Sequence, residues 1–195
     1  MTRRFLSAAA AALLLASPFH TASADVIDAS TLTCRDLVAK AASSDKKEEY
    51  GASVILYWVA GYLATVEQGT VVDFDNLGTE FGQTIEFCGD NPDIGVMTAA
   101  QKYMGENAED ATSKAIDLAI LKCEGVMNSD VEDADGLGQI LMWLAGYHAS
   151  YAESKVIDTD KFKKSIEKIA NYCAENPQMG LFTTSEKFMG GDADE

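Results

Sequence analysis

Cys34, Cys88, Cys123, Cys173, His148 and two Asp-x-Asp pairs, Asp73/Asp75 and Asp158/Asp160, are the residues of this 195-residue chain whose types and spacing could do chemistry. Cysteine with histidine could ligate zinc or form a nucleophile and its base, and paired carboxylates could hold a cation. The spacings argue against each of these. No two cysteines stand as C-x-x-C, which removes zinc knuckles and thioredoxin-like redox sites. The only other histidine, His20, lies in the opening segment, so His148 has no second imidazole with which to build a metal centre. No G-x-S-x-G, H-E-x-x-H, phosphate loop or dinucleotide fingerprint accompanies it. Each Asp-x-Asp stands where a helix should begin, and a capping role accounts for it. "EDADG" (132–136) lacks the length and closing Glu of a calcium loop. The sequence therefore predicts no enzyme, no cofactor and no metal site.

The elements that carry these residues begin after a leader. Arg3 and Arg4, an apolar run from Phe5 to Ala16 and the small residues Ala22-Ser23-Ala24 read as a secretory signal peptide over 1–24, cut before Asp25. An exported chain with an even number of cysteines pairs them, and four allow three pairings. The formal charge is −16, and because the leader holds two arginines and no acid, the remainder carries −18. Such a field repels nucleic acid and anionic lipid, which excludes both as partners.

Trp58 and Trp143, Gly61 and Gly146, Cys88 and Cys173, Pro92 and Pro177, and Gly105 and Gly190 are all separated by 85 residues. The chain is thus a tandem duplication, with units at 25–107 and 108–190 and an acidic tail, 191–195, expected to be disordered. With the tail counted in the second half, residues 25–107 and 108–195 each carry −9. The first cysteines, Cys34 and Cys123, differ by 89, so the first unit holds four extra residues, which we place in an exposed linker, "AKAASSDKKEE" (39–49). Units of this size are small for a self-sufficient core. Repeat logic then selects Cys34 with Cys88 and Cys123 with Cys173, each closing a loop of about 50 residues worth about 4 kcal/mol.

Periodicity within each unit is helical. Phe162, Ile166, Ile169 and Cys173 fall on one face behind an Asp158/Thr159 start, with Lys161, Lys163, Lys164 and Lys168 turned outward; Leu77, Phe81, Ile85 and Cys88 repeat the stripe. Asn-Pro then stops the helix, and a short amphipathic helix follows, ending at a glycine suited to a C-cap. The central helices, predicted over 52–69 and 136–154, share W-[VL]-A-G-Y. Gly61 and Gly146 each cost about 1 kcal/mol of helix propensity, so they predict close approach of a neighbour, either the sister repeat or another protein. The fold class expected is all-α: two tandem units of about four helices, each closed by one disulfide.

"LTCRDL" (32–37), the tryptophan-bearing helix and "YCAENPQMGLFT" (172–183), echoed by "FCGDNPDIGVMT" (87–98), resemble the HdeA/HdeB family of periplasmic acid-stress chaperones, especially its HdeB branch. The resemblance implies a periplasmic, disulfide-tied helical unit, usually dimeric at neutral pH, that loosens in acid and holds unfolded proteins without ATP. It implies roles for the two cysteine pairs and for an apolar client or interface surface, here Ile55, Trp58, Val59 and Tyr62 with Leu141, Trp143, Leu144 and Tyr147. Fusion of two units implies self-association or a covalent pseudo-dimer. The C…[YW]-x-x-G-Y…C arrangement is also similar to the Rap/Tai immunity proteins, which implies as an alternative a binder of type VI secretion amidase toxins.

Charge permits an acid response on its own terms. With 31 carboxylates neutralised, the exported chain moves from −18 to about +15, and positive repulsion opposes compaction.

Overall fold

The computed structural model describes residues 26–64, 69–104, 115–127 and 134–190. The leader, the tail and Gly105 lie outside these residues. The protein is mainly helical, with eight helices among the described residues in two sets of four, and each set is closed by one disulfide, Cys34–Cys88 and Cys123–Cys173.

In the first repeat, strand β1 (Val26–Asp28) leads into α1 (Cys34–Ala41), α2 (Lys46–Leu63), strand β2 (Val71–Val72), α3 (Phe74–Asp90) and α4 (Val96–Met104). The second repeats the order with β3 (Ile116–Asp117), α5 (Cys123–Met127), α6 (Ala134–Tyr151), β4 (Val156–Asp158), α7 (Thr159–Glu175) and α8 (Leu181–Met189). Asp73 and Asp158 cap α3 and α7, accepting from Asp75 N and Asn76 N and from Lys161 N respectively, the capping role expected of short acidic side chains at a helix start. The predicted stripes face inward: Leu77, Phe81, Cys88, Ile169 and Cys173 are buried, and Ile85, Phe162 and Ile166 half-buried. The four lysines of α7 are exposed.

The twice-written Asn-Pro segment joins the ends of each disulfide loop. Asn91 and Asn176 close α3 and α7, their Nδ2 donating to the carbonyls of Phe87 and Tyr172 at 2.9 Å. The following loop turns its own carbonyls onto the first turn of the cysteine helix, an end whose N–H groups otherwise have no partner. Cys34 N donates to Ile94 O (2.7 Å) and Arg35 N to Pro92 O (2.9 Å), with Cys123 to Met179 (2.9 Å) and Glu124 to Pro177 (2.8 Å) as the copies. Thr33 adds a capping box with Asp36 on α1. Lys102 lies 4.3 Å from the Phe87 ring centroid and Lys187 4.3 Å from that of Tyr172, so a cation on an aromatic face fastens the last helix of each repeat to the one before it.

Three expectations need correction. Segment 39–49 is not a linker: Lys40 is within α1, Lys46 begins α2 behind the Asp45 N-cap, and Lys40 pairs with Glu48 at 2.5 Å. Asp45 capping and the acids Glu48 and Glu49 in the first turn favour helix there. The central helices start and stop earlier than 52–69 and 136–154, since Asp45 provides a start signal and Gly69, at φ +68°, belongs to the turn into β2. Gly190 does cap α8, but in extended rather than left-handed conformation (φ −64°, ψ 145°), its N–H donating to Glu186 O.

Four short strands lie beside the helices, and they pair across the duplication. β1 pairs antiparallel with β4, Ile27 opposite Ile157, and β2 with β3, Val72 opposite Ile116. Ala29 N donates to Lys155 O (2.8 Å) and Leu118 N to Thr70 O (2.9 Å). Each repeat thus lends its opening strand to the strand before the other repeat's third helix.

Candidate functional site

Ile55, Val59 and Tyr62, with Trp58, recur at three- and four-residue intervals on α2, and Leu141, Leu144 and Tyr147, with Trp143, do so on α6; such spacing gathers side chains on one side of a helix. These two helices make the most extensive contact between any two elements. Trp58 and Trp143 are 2% and 3% exposed, Ile55, Val59, Leu141, Leu144 and Tyr147 are buried, and Tyr62 is half-buried. Full burial of each large apolar side chain is worth about 1.5–3 kcal/mol.

The two mid-helix glycines explain how large side chains coexist with so close a crossing. A Cβ built on Gly61 would lie 1.9 Å from the carbonyl oxygen of Trp143, and one built on Gly146 would lie 1.9 Å from that of Trp58. The backbones touch at these two points, and the pair of contacts is related by the same 85-residue offset as the sequence, so α2 and α6 cross about a pseudo-twofold axis. Beside the crossing each tryptophan stacks on its own i+4 tyrosine: Trp58 on Tyr62 at 5.1 Å and 20°, Trp143 on Tyr147 at 5.3 Å and 17°. Leu56, Ala60 and Met142 are buried in these helices as well. Leu56 and Met142 stand just outside the shared W-[VL]-A-G-Y motif, and Ala60 inside it is a small residue, so sequence reasoning passed over all three.

The structure brings together both predicted cysteine pairs, and among the described residues no cysteine is free. Both bonds lie inside a repeat, so neither crosses the α2–α6 seam. Ion pairs formed between described residues, such as Arg35–Asp93 (2.6 Å) and Lys46–Glu49 (2.5 Å), also stay within one repeat. The seam is held by apolar packing and by the two exchanged strand pairs.

Titratable groups around this core respond to acid in one direction. Hydrogen bonds from the Thr33 hydroxyl and backbone hold the Asp36 carboxyl below its ordinary value, and those from Ser30 do so for Asp28. Burial pushes the His148 imidazole down to about 4. His148 is a core residue on α6, with Nε2 2.9 Å from Ser185 Oγ. Among the described residues no group of three His, Cys, Asp or Glu side chains is arranged to hold a metal ion, and no helix is long and apolar enough to cross a membrane.

Fold and seam define an internally duplicated, disulfide-tied helical protein whose tryptophan-bearing helices are turned against each other. A family model matches the chain twice, over residues 5–98 and 95–183, and that model is HdeA/HdeB. The chain belongs to the HdeA/HdeB family, as a tandem duplication of its domain. This is a family of periplasmic acid-stress chaperones that bind unfolded client proteins. No curated protein and no solved structure matches the chain.

Proposed function

We propose that this protein is a non-enzymatic, ATP-independent acid-stress chaperone of the periplasm, exported by a leader at 1–24, whose units at 25–107 and 108–190 form a covalent pseudo-dimer. Acid parts α2 from α6, and the faces around Trp58 and Trp143 then hold unfolded periplasmic proteins. The observation that carries this reading is the seam itself: the tryptophan-bearing faces of α2 and α6 are hidden at a boundary that no disulfide crosses.

The physical chemistry of the chain supports the same sequence of events. At neutral pH the apolar faces bury each other, so the resting protein offers little to a folded neighbour. In acid the charge rises to about +15, and repulsion acts on two halves that, apart from the connecting chain, are held by packing and short strands with their hydrogen bonds. Asp36, held below its ordinary value, stabilises the fold above about pH 4, and that contribution is lost as pH falls through its folded value. The two intra-repeat disulfides keep each loosened half compact, which favours rapid closure when pH recovers.

The test follows near-UV circular dichroism, binding of a hydrophobic dye and aggregation of an acid-denatured client together from pH 7 to pH 2. Loss of the near-UV signal, dye binding and suppressed aggregation near pH 2 are expected. Native tertiary signal at pH 2, or loosening without suppression, overturns the reading.

A further inference from the structure

The second repeat buries an imidazole where the first has a half-buried leucine. His148 on α6 is 5% exposed and sits between the Tyr147 ring, 5.8 Å away and edge-on, and the Phe182 ring of α8 at 5.3 Å. The Ser185 hydroxyl donates to Phe182 O at 2.8 Å, so its oxygen is the acceptor for His148 Nε2–H at 2.9 Å. Nε2 of the resting ring therefore carries a proton, burial keeps the ring neutral at pH 7, and a second proton would have to go to Nδ1 of a buried side chain. In the first repeat the equivalent positions, 85 residues earlier, are Leu63 and Ala100, so the histidine and its serine occur together in the second repeat and are both absent from the first.

No charge stands ready to receive the second proton. Of the elements packed around the ring, α2 contributes Trp58, which is uncharged, and α6 contributes the hydroxyls of Tyr147 and Tyr151, which bond each other at 2.9 Å. β4 and α7 bring Asp158 and Lys161 to the rim of a cleft of about 380 Å³ that His148 lines, and the Asp158 carboxylate is engaged in capping Lys161 N at 2.8 Å. α8 brings Glu186 and Lys187 to the rim of a second, separate cleft that His148 also lines, with Lys187 drawn over Tyr172. These rim charges are two of each sign, and among the described residues none makes an ion pair with the ring. Burial without a counter-ion is what pushes the imidazole down to about 4.

We propose that the His148–Ser185 contact is an acid-sensitive latch that releases α8 from α6, so that the second repeat opens before the first. As a regulatory device this rests on the chaperone reading: it sets a first threshold in mild acid, before most carboxylates have neutralised. Protonation of the released ring favours the open state, because the free imidazole titrates near 6.5 while the docked one does not. Release uncovers Phe182 and the Tyr147 ring it packs against, while the Cys123–Cys173 bond keeps the repeat together.

Hydrogen exchange of α8, corrected for the intrinsic effect of pH, is compared at pH 7 and pH 5 in the wild type and in His148→Leu, without any client. The wild-type opening equilibrium is expected to rise roughly 20-fold over this interval, and that of His148→Leu, which restores the first repeat's residue, to stay flat. An unchanged wild type, or an equal rise in both, overturns the proposal. An NMR titration of the His148 ring needs no variant: a midpoint below 5 supports the latch, and one near 6.5 overturns it. Because neither measurement includes a client, failure of aggregation suppression leaves them standing, and their failure leaves the chaperone reading standing.

Discussion

The carbonyl oxygen of Trp143 occupies the space that a Cβ on Gly61 would need, 1.9 Å from where that atom would be placed. Its mirror, Trp58 against Gly146, has the same spacing. Gly→Ala within a helix ordinarily gains about 1 kcal/mol, but here the neighbour is backbone and has no rotamer by which to retreat. Gly61→Ala and Gly146→Ala are expected to lose at least 2 kcal/mol each, a cost of the kind that overpacking brings. Urea unfolding at pH 7 measures this, and a neutral or stabilised variant would show that the helices do not cross so closely.

Asp36→Ala should cost about 1 kcal/mol at pH 7, through loss of half of a capping box. The sign of its pH dependence follows from the depressed folded value. The carboxylate's contribution is present above about pH 4 and disappears as pH falls through the folded value. Stability curves of wild type and variant should therefore converge as pH falls below the ordinary carboxylate range, and curves that remain parallel would count against the assigned cap.

Reduction of Cys34–Cys88 and Cys123–Cys173 should leave a chain that no longer recovers its helicity after a cycle from pH 7 to pH 2 and back. The bonds close loops with sequence separations of 54 and 50, each worth about 4 kcal/mol in the chain-entropy model. Circular dichroism before and after the cycle, with and without reductant, reads the result directly.

Trp58→Phe and Trp143→Phe each leave one tryptophan as a reporter on one side of the seam. Emission in both should be that of a buried indole at pH 7 and should shift to the red near pH 2 as α2 and α6 part. If emission stays buried while clients are held, clients bind elsewhere on the protein.

The repeat, the eight helices and the cysteine pairing were legible because each leaves a strong periodic trace: an offset of 85, stripes such as Leu77, Phe81 and Cys88, and Asn-Pro stops. Gly61 and Gly146 likewise announced a close approach, because glycine at mid-helix is unfavourable without one. The strands were not legible. Val71–Val72 and Ile116–Asp117 are two residues each, too short to show alternation, and their partners lie in the other repeat. The start of α2 was misread because Ser43, Ser44 and Asp45 resemble a loop, while the cap at Asp45 and the Lys40–Glu48 pair favour helix on either side. The latch at His148 was visible only as a lone histidine opposite Leu63, since Ser185 lies 37 residues away and only the packing of α8 on α6 brings it near.

The exchanged strands also bear on how the molecule comes into being. Val26, near the start of the described chain, finds its partner Asp158 only after most of the polypeptide has been delivered, and β2 must await β3. Such contacts between distant parts of the chain raise contact order and slow the final assembly step. The first helical set can close its own disulfide once Cys88 has emerged, but α2 has no α6 to pack against until residues 134–151 follow, so every newly made chain passes through an interval in which the Trp58 face is uncovered.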